Sequence, residues 1–393
     1  MTLKEIDHFE KHSSVLNEYL FTFIGLSSYI KSPKELLRVH LINFVLVFAI
    51  LMQILELYLL YKLEPEVQLR LIVKILQTFL PTICFSICYY YNLIHNYAKI
   101  KLIVNRIKRD WNELKDEHEL ITMKRYADKS RLWSMFIICC SYVYIISLIF
   151  PSMYNLIYVI CVTDKTKFIL PIRMDFWLEN NKLYYAVFSL EFIIIFIVCT
   201  IGVANYSLFM SITQHAFALF NIVLVKLDRP FKKDLHSLKR KKIFTSQNME
   251  YDWIITIIRS YEKAIRFVDL IKFVFGSTYL VEISLSLSFI IIDYLYIFTL
   301  KNTISDIISD STYIIASLLM IYVYCYSGQM LINSNSAVFM KCCQVPFYML
   351  SVKTQKILLI LILQTTRPCN FSVRRIIVAS HELFAKAEKL SRM

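Results

Sequence analysis

Six long apolar runs constrain what this chain can fold into. They cover approximately residues 39–61, 69–92, 132–162, 183–209, 273–298 and 312–332. A helix needs about 20 apolar residues to cross the hydrocarbon layer of a bilayer, which is about 30 Å thick. None of the runs shows the two-residue alternation of a membrane barrel strand. With 57% hydrophobic residues in 393, the chain is predicted to be an all-α, polytopic membrane helix bundle.

The basic residues predict how the bundle is oriented. Most of the 44 Lys and Arg residues lie in the connections formed by residues 1–38, 92–132, 210–272 and 333–393. The alternate connections hold few, and basic connections stay on the cytoplasmic side of a membrane. We therefore expect a cytoplasmic N-terminus, the inverse of a G-protein-coupled receptor. The net charge of +14 then reflects topology and contact with anionic lipid rather than nucleic-acid binding.

Helical patterns continue beyond several of the apolar runs and suggest four divisions of the chain. Residues 1–38 form an amphipathic, cytoplasmic N-terminal segment. Residues 39–332 form the bundle, with long cytoplasmic helical extensions at 92–132 and 210–272. A cytoplasmic helix region at 333–373 and a basic tail at 374–393 complete the chain.

Signatures of catalysis and of metal binding are missing from the sequence. It contains no HExxH, GxGxxG or GxSxG motif, and its eight histidines are scattered without ligand spacing. Its ten cysteines mostly fall inside apolar runs and form no CxxC pair. We therefore predict that the protein is not an enzyme and that it uses neither a cofactor nor a metal.

Ionisable residues within the apolar runs are costly unless they are paired or hydrated. The candidates are Glu56, Lys74, Glu191, Glu282 and Asp293. Two interpretations remain open. Some of these side chains could line a water-filled ligand vestibule or ion path, or they could pair between helices.

Aromatic residues are dense in the halves of the spans that are predicted to face outwards. In a bundle they could close an apolar cavity that binds small volatile molecules mainly by burial. The alternative for each one is packing against lipid or a neighbouring helix. The candidate ligand-binding residues are Phe79, Tyr142, Tyr144, Phe150, Tyr154, Tyr184, Phe188 and Tyr322.

Several segments together resemble the insect odorant receptor family, over roughly residues 13–373. They include DWNELKDEHELITMKRYADKSR after the second span, SLFMSITQHAFALFNIVLVKL after the fourth and IIRSYEKAIRFVDLI before the fifth. The most specific part follows the Tyr-rich sixth span: a Ser-containing seam, an aromatic-Tyr pair, Lys-x-x-Lys before an apolar helix, and an Arg-Pro stop. Here Pro346-Phe347-Tyr348 stands where the family usually has a Trp-Tyr pair.

The resemblance implies a seven-span receptor that forms ligand-gated cation channels as a tetramer. In that family an odorant-tuned subunit pairs with a shared co-receptor, and the outer half of each bundle holds the odorant. The cytoplasmic extensions form an anchor that holds the subunits together. By this analogy we expect plasma-membrane localisation in a sensory neuron and a subunit interface that includes Trp253, Ile257, Tyr348, Lys353 and Lys356.

The C-terminal tail departs from the family pattern. Family members have a further apolar helix that lines the pore, whereas this chain continues with RRIIVASHELFAKAEKLSRM. The tail has no run of 18 apolar residues, so it is expected to be a short amphipathic helix in the cytoplasm, which leaves six spans with both termini inside. Besides an odorant-receptor subunit, a truncated, non-conducting receptor form, a gustatory-type receptor and a secondary transporter remain as alternatives.

Overall fold

The computed structural model describes residues 20, 22–23, 33–60, 65–162, 181–232, 246–299, 304–367, 369–373, 377–378, 380–383 and 385. Within them, most residues belong to eight α-helices. These are α1 (Pro33–Leu60), α2 (Pro65–Ile87), α3 (Tyr97–Glu113), α4 (Glu117–Val162), α5 (Asn181–Lys232), α6 (Gln247–Thr299), α7 (Ile304–Cys343) and α8 (Val352–Thr365). A π-helical segment, Cys88–His95, continues α2. A two-stranded hairpin pairs β1 (Ser372–Val373) with β2 (Ile377–Val378) in antiparallel register.

The six predicted spans are confirmed. Among the described residues, six helical stretches are long and apolar enough to cross a membrane. They are Leu36–Tyr58, Leu71–His95, Glu117–Phe150, Ala186–Phe231, Gln247–Ile292 and Ser311–Cys343. The chain is therefore an all-α bundle of membrane-length helices.

Three of these helices continue well past their apolar runs. α5 includes the predicted extension after the fourth run, and α6 joins the amphipathic stretch before the fifth run to the run itself. α7 continues through the polar seam at 333–343 as an unbroken helix. α7 contains no proline, and its one glycine, Gly328, lies before the seam, so nothing in its sequence ends the helix at the polar seam.

The extension after the second run is divided, although one continuous helix was expected. Leu114 is extended (φ −72°, ψ 114°) and ends α3. Asp116 then accepts a hydrogen bond from the His118 backbone N–H (3.0 Å), and Glu117 and Glu119 occupy the first turn of α4. This is the arrangement of an N-cap with acidic residues near the helix dipole, so it starts a new helix.

The helical extensions assemble at one end of the bundle. We call this part the anchor region, consisting of α3, α8 and residues 117–131, 210–232, 247–272 and 333–343. Its core contains the fully buried side chains of Phe217, Phe220, Ile257 and Phe267. The main core of the chain runs through this region without a break into the membrane-length part of the bundle.

Hydrogen bonds hold α8 at both of its ends. At its start, Glu250 Oε1 accepts from the Ser351 backbone N–H (2.7 Å) and the Ser351 hydroxyl (3.1 Å). At its end, Asn335 Nδ2 donates to the carbonyl oxygens of Thr365 and Arg367, at 3.1 Å each. These contacts satisfy polar groups that a helix leaves free at its ends, so α8 is fixed to α6 and α7.

The described residues just before the tail and within it pack against the bundle. Phe371 is buried, with its ring 6.0 Å from that of Phe209 on α5. The His381 backbone N–H donates to Gln329 Oε1 on α7 (3.3 Å), and Leu383 packs against a buried cluster of α6 and α7 residues. Counting charges suggested a solvated tail, but Phe371 just before it and Leu383 within it bury apolar surface against the bundle.

Candidate functional site

An apolar cluster joins α4 and α5 in the half of the bundle distant from the anchor region. Ile145 and Ile149 of α4 pack with Ile195 and Cys199 of α5, and all four are buried. Two predicted cavity residues, Tyr144 and Phe188, pack against this cluster. We call these six residues the outer cluster.

Tyr144 also connects the outer cluster to α7. Its ring makes an edge-to-face contact with Tyr313, with centroids 5.7 Å apart, a geometry that aromatic pairs favour. Tyr313 in turn contacts Phe289 of α6 at 5.9 Å. Helices α4, α5, α6 and α7 therefore meet around aromatic side chains at this end of the bundle.

Two other predicted cavity residues lie on the opposite face of α4. Tyr142 is 41% exposed and Phe150 is 64% exposed. They share this face with Val143 and Ile146, since residues three or four apart lie together on a helix. This apolar, exposed face is suited to lipid.

The remaining predicted cavity residues have separate positions. Phe79 on α2 and Tyr322 on α7 are half-buried. The Tyr322 ring lies 6.0 Å from that of Tyr326. The side chains of Tyr154 and Tyr184 lie outside the described residues.

A buried polar network surrounds Glu282 in the middle of α6. Its Oε1 accepts a hydrogen bond from the Cys88 thiol (2.9 Å). Its Oε2 accepts from the hydroxyls of Tyr206 (3.0 Å) and Tyr324 (2.5 Å). All four residues are nearly or completely inaccessible, so one carboxyl group links α5, α6, α7 and the π-helical segment.

Three more polar side chains extend this network towards the anchor region. Asn92 Nδ2 donates to Asn205 Oδ1 (3.1 Å), and Asn92 Oδ1 accepts from the Thr278 hydroxyl (2.9 Å). With the four residues above, these three form what we call the Glu282 cluster. The π-helical segment supplies both Cys88 and Asn92, and such segments frequently occur at functional sites.

The structure shows the surroundings of three of the ionisable residues within the apolar runs. Glu282 bonds to neutral donors from other helices, which favours interhelical pairing over an open vestibule at this position. Glu56 and Glu191 are also buried. The side chains of Lys74 and Asp293 lie outside the described residues.

A second buried acidic group organises the anchor region. Asp110 Oδ2 lies 3.0 Å from His215 Nε2, and Asp110 Oδ1 lies 2.9 Å from Lys263 Nζ. Burial alone would raise the pKa of Asp110, but its hydrogen bonds and charge interactions with His215 and Lys263 outweigh burial and lower that pKa. Arg106 donates to the Lys263 carbonyl (3.0 Å), so α3, α5 and α6 are joined here.

The predicted interface residues divide into internal and surface positions. Ile257 is fully buried in its own chain, and Trp253 Nε1 donates to the Lys226 carbonyl at 3.0 Å. Tyr348 is 74% exposed, and Lys353 and Lys356 are also exposed. Ile257 is thus closed off from another subunit, Trp253 is half-buried, and the other three side chains are open to a partner.

The exposed positions continue into an apolar surface on α8 and the turn before it. We call this the α8 face. It consists of Phe347, Tyr348, Val352, Leu359, Ile360 and Leu363, each more than half exposed. Large side chains gathered in this way are typical of a surface that binds a partner or lipid.

Sequence reasoning missed the partners in both polar clusters. Asn92 and Asn205 stand alone among apolar residues, a pattern that would have marked them as interhelical hydrogen-bonding groups. Asp110 and His215 carry no local signal, because they are 105 positions apart in the chain. Asn205 begins a glycosylation sequon but is fully buried.

Six membrane-length helices whose extensions form an anchor region define a polytopic helical membrane protein. Comparison with known proteins places it more narrowly. The model of the 7tm odorant receptor family matches residues 68–391. The chain therefore belongs to the odorant receptor family.

Solved structures share this fold at low sequence identity. The olfactory receptor OR5 of the insect Machilis hrabei, in complex with eugenol, superposes with a TM-score of 0.75 at 10% identity, over 98% of this chain and 97% of that one. A second structure of the same OR5 superposes with a TM-score of 0.75 at 11% identity, over 99% of this chain and 97% of that one. No curated protein sequence matches the chain.

Proposed function

We propose that this chain is an odorant-tuned receptor subunit that gates a cation channel together with a co-receptor in a hetero-tetramer. It works in the plasma membrane of a sensory neuron. The observation that carries the proposal is the outer cluster, which belongs to a chain of the odorant receptor family and lies in the half of the bundle opposite the anchor region. OR5, which has the same fold, is described in complex with eugenol, a small volatile molecule.

The outer cluster has the chemistry that a volatile ligand requires. Ile145, Ile149 and Ile195 offer apolar surface, while Tyr144 adds a hydroxyl to an otherwise hydrophobic wall. Such a site gains most of its affinity from burying apolar area and uses a few polar groups for orientation. The half-buried Phe79 and Tyr322 are additional candidates for ligand contact.

The Glu282 cluster offers a route from ligand to channel. Tyr144 contacts Tyr313 on α7, and α7 also carries Tyr324, which donates to Glu282. A ligand that shifts α4 against α7 would therefore strain hydrogen bonds shared by three other elements. Two arrangements of this cluster, with different affinities for the ligand, would suffice to couple binding to gating.

The α8 face supports assembly with other subunits. Its exposed apolar side chains lie on a helix fixed at both ends to α6 and α7. A rigid element that presents large apolar residues is well suited to a stable interface. Tyr348, Lys353 and Lys356 belong to or border this surface and are the proposed interface residues of this chain.

The tail bears on whether this subunit lines the pore. Its described residues lie along α6 and α7, so it occupies the side of the bundle next to those helices. In this proposal cations pass mainly through the pore formed by the complete assembly, and this chain recognises the ligand. A gustatory-type receptor of the same architecture would differ in its ligands and tissue, not in these contacts.

Current recordings test the proposal. The full chain is expressed in oocytes with and without an insect odorant co-receptor and exposed to a panel of volatile alcohols, esters and aromatics. We expect odorant-evoked cation currents only when both subunits are present and only for part of the panel. Surface labelling of the chain is the control, since a chain that reaches the surface with its co-receptor and gives no current for any ligand would refute the proposal.

A further inference from the structure

A partly open cleft lies where α5, α6, α7 and the segment just before the tail meet, away from the outer cluster. The free space of the cleft, open solvent at its mouth included, is about 320 Å³. Aromatic rings of Phe209, Phe275, Tyr324 and Phe371 line it. Phe371, three residues before the tail, thus forms one wall of the cleft.

One face of α6 forms the floor of this cleft. Lys272, Gly276 and Tyr279 follow one another at i, i+4 and i+7, so they lie on the same side of the helix. The outer two are separated by roughly 10 Å along the axis. The floor is therefore bare in its centre, where glycine has no side chain, and carries a polar group at each end.

Packing does not account for Gly276. A Cβ atom built at this position meets no other atom within 4 Å. At Gly202, by contrast, a Cβ would come within 2.8 Å of the Phe85 ring, so that glycine permits close helix contact. Glycine weakens a helix interior relative to alanine, and at 276 its effect is to keep the cleft open.

Tyr279 supplies an unused hydrogen-bond donor. Its side chain is only 5% exposed, and its hydroxyl has no hydrogen-bond partner among the described residues. Buried hydroxyls almost always have a partner, so this one is available to a molecule bound in the cleft. The ring also packs against Tyr324 with centroids 4.7 Å apart, which fixes it at the cleft wall.

The other polar group favours a neutral ligand. Lys272 Nζ lies 3.4 Å from Asp269 Oδ1, so its charge is already balanced by a carboxylate. An anionic ligand would have to compete with Asp269 for the ammonium group. The cleft thus combines aromatic walls, one buried donor and a neutralised cation.

We propose that this cleft is a second ligand site, which binds a small, neutral, mainly apolar molecule carrying one hydrogen-bond acceptor. The acceptor takes the hydrogen bond of Tyr279, and the apolar part lies over Gly276 against the aromatic walls. The bound molecule also touches Tyr324, whose hydroxyl donates to Glu282. Occupancy therefore acts directly on the Glu282 cluster without passing through the outer cluster.

Photolabelling with benzophenone tests this proposal, because the probe is apolar and neutral and has a single carbonyl acceptor. The purified full chain in lipid nanodiscs is irradiated at increasing probe concentration, and adducts are mapped by peptide mass spectrometry. We expect saturable labelling of the peptides that contain residues 271–279 or Phe371. Tyr279→Phe should raise the apparent Kd about fivefold, the effect of one lost hydrogen bond, and Gly276→Phe should abolish cleft labelling.

Three controls separate the site from other effects. Tyr90→Phe alters a tyrosine outside the cleft and should leave the Kd unchanged, and Tyr144→Ala should change only labelling near the outer cluster. Gel filtration and melting curves check folding; if Gly276→Phe does not fold, the smaller Gly276→Val takes its place. Three results would each overturn the proposal. The first is labelling of the cleft that does not saturate, and the second is labelling that both cleft variants leave unchanged. The third is a lipid chain that is retained in the cleft and prevents the probe from labelling it.

Discussion

Replacing Glu282 by leucine should destabilise the bundle strongly, because one carboxyl group serves three donors. Glu282→Leu removes the acceptor of the Tyr206 and Tyr324 hydroxyls and of the Cys88 thiol. Interhelical hydrogen bonds in membranes average about 0.6 kcal/mol, and each buried polar group left unpaired costs about 1–3 kcal/mol. The unpaired-group cost of the two tyrosine hydroxyls alone gives a loss of about 2–6 kcal/mol in the free energy of unfolding.

Glu282→Gln is the matched control. Glutamine has nearly the same shape and keeps a carbonyl oxygen that can face the two tyrosines, so its cost should stay below about 1 kcal/mol. The assay is the melting temperature of the purified chain in detergent, followed by fluorescence-detected gel filtration. At about 2 °C per kcal/mol, we expect leucine to lower Tm by about 4–12 °C and glutamine by no more than about 2 °C. Equal Tm values for the two variants would refute the role assigned to this cluster.

Further predictions concern ligand tuning, acid stability and assembly. Tyr144→Ala and Phe188→Ala should shift odorant dose–response curves by tenfold or more, as expected for about 1.4 kcal/mol of lost burial. Phe150→Ala, on the exposed face of α4, should leave the curves unchanged. Odorant-evoked currents in oocytes measure all three variants. The lowered pKa of Asp110 means that its stabilising effect is present at neutral pH and is lost as the pH falls below about 4. In a plot of melting temperature against pH, Asp110→Asn should therefore reduce the fall on the acid side. An unchanged fall would contradict this. Leu359→Asp should reduce recovery of the hetero-tetramer in native gels while leaving the chain's own Tm within about 1 °C, because a surface substitution changes stability little.

The sequence could predict the membrane-length helices and much of the anchor region. Apolar length alone identifies the six spans, and helical patterns beyond the runs indicate the extensions that α5 and α6 contain. The apolar stretch after Lys353 likewise indicates α8. The division at Leu114 was missed, although Asp116 followed by Glu119 is a signature of a helix start.

The candidate sites were harder to predict because they depend on how each helix is rotated. Cys88 and Glu282 meet across 194 positions, and composition does not determine which face of a span turns inward. Aromatic density identified Tyr144, which packs inside, together with Phe150, which is exposed, because both lie in the same apolar run of α4. For the tail, charge counting gave no weight to the apolar surface of Leu383, which packs against residues of α6 and α7.

The most direct measurement is a structure of the assembled channel, with this chain and its co-receptor, in the presence of an activating odorant. The account predicts odorant density between α4 and α5, in contact with Tyr144 and Phe188, and a subunit interface that includes the α8 face. Odorant density confined to the co-receptor, or an outer cluster that remains closed and empty in the open channel, would contradict it.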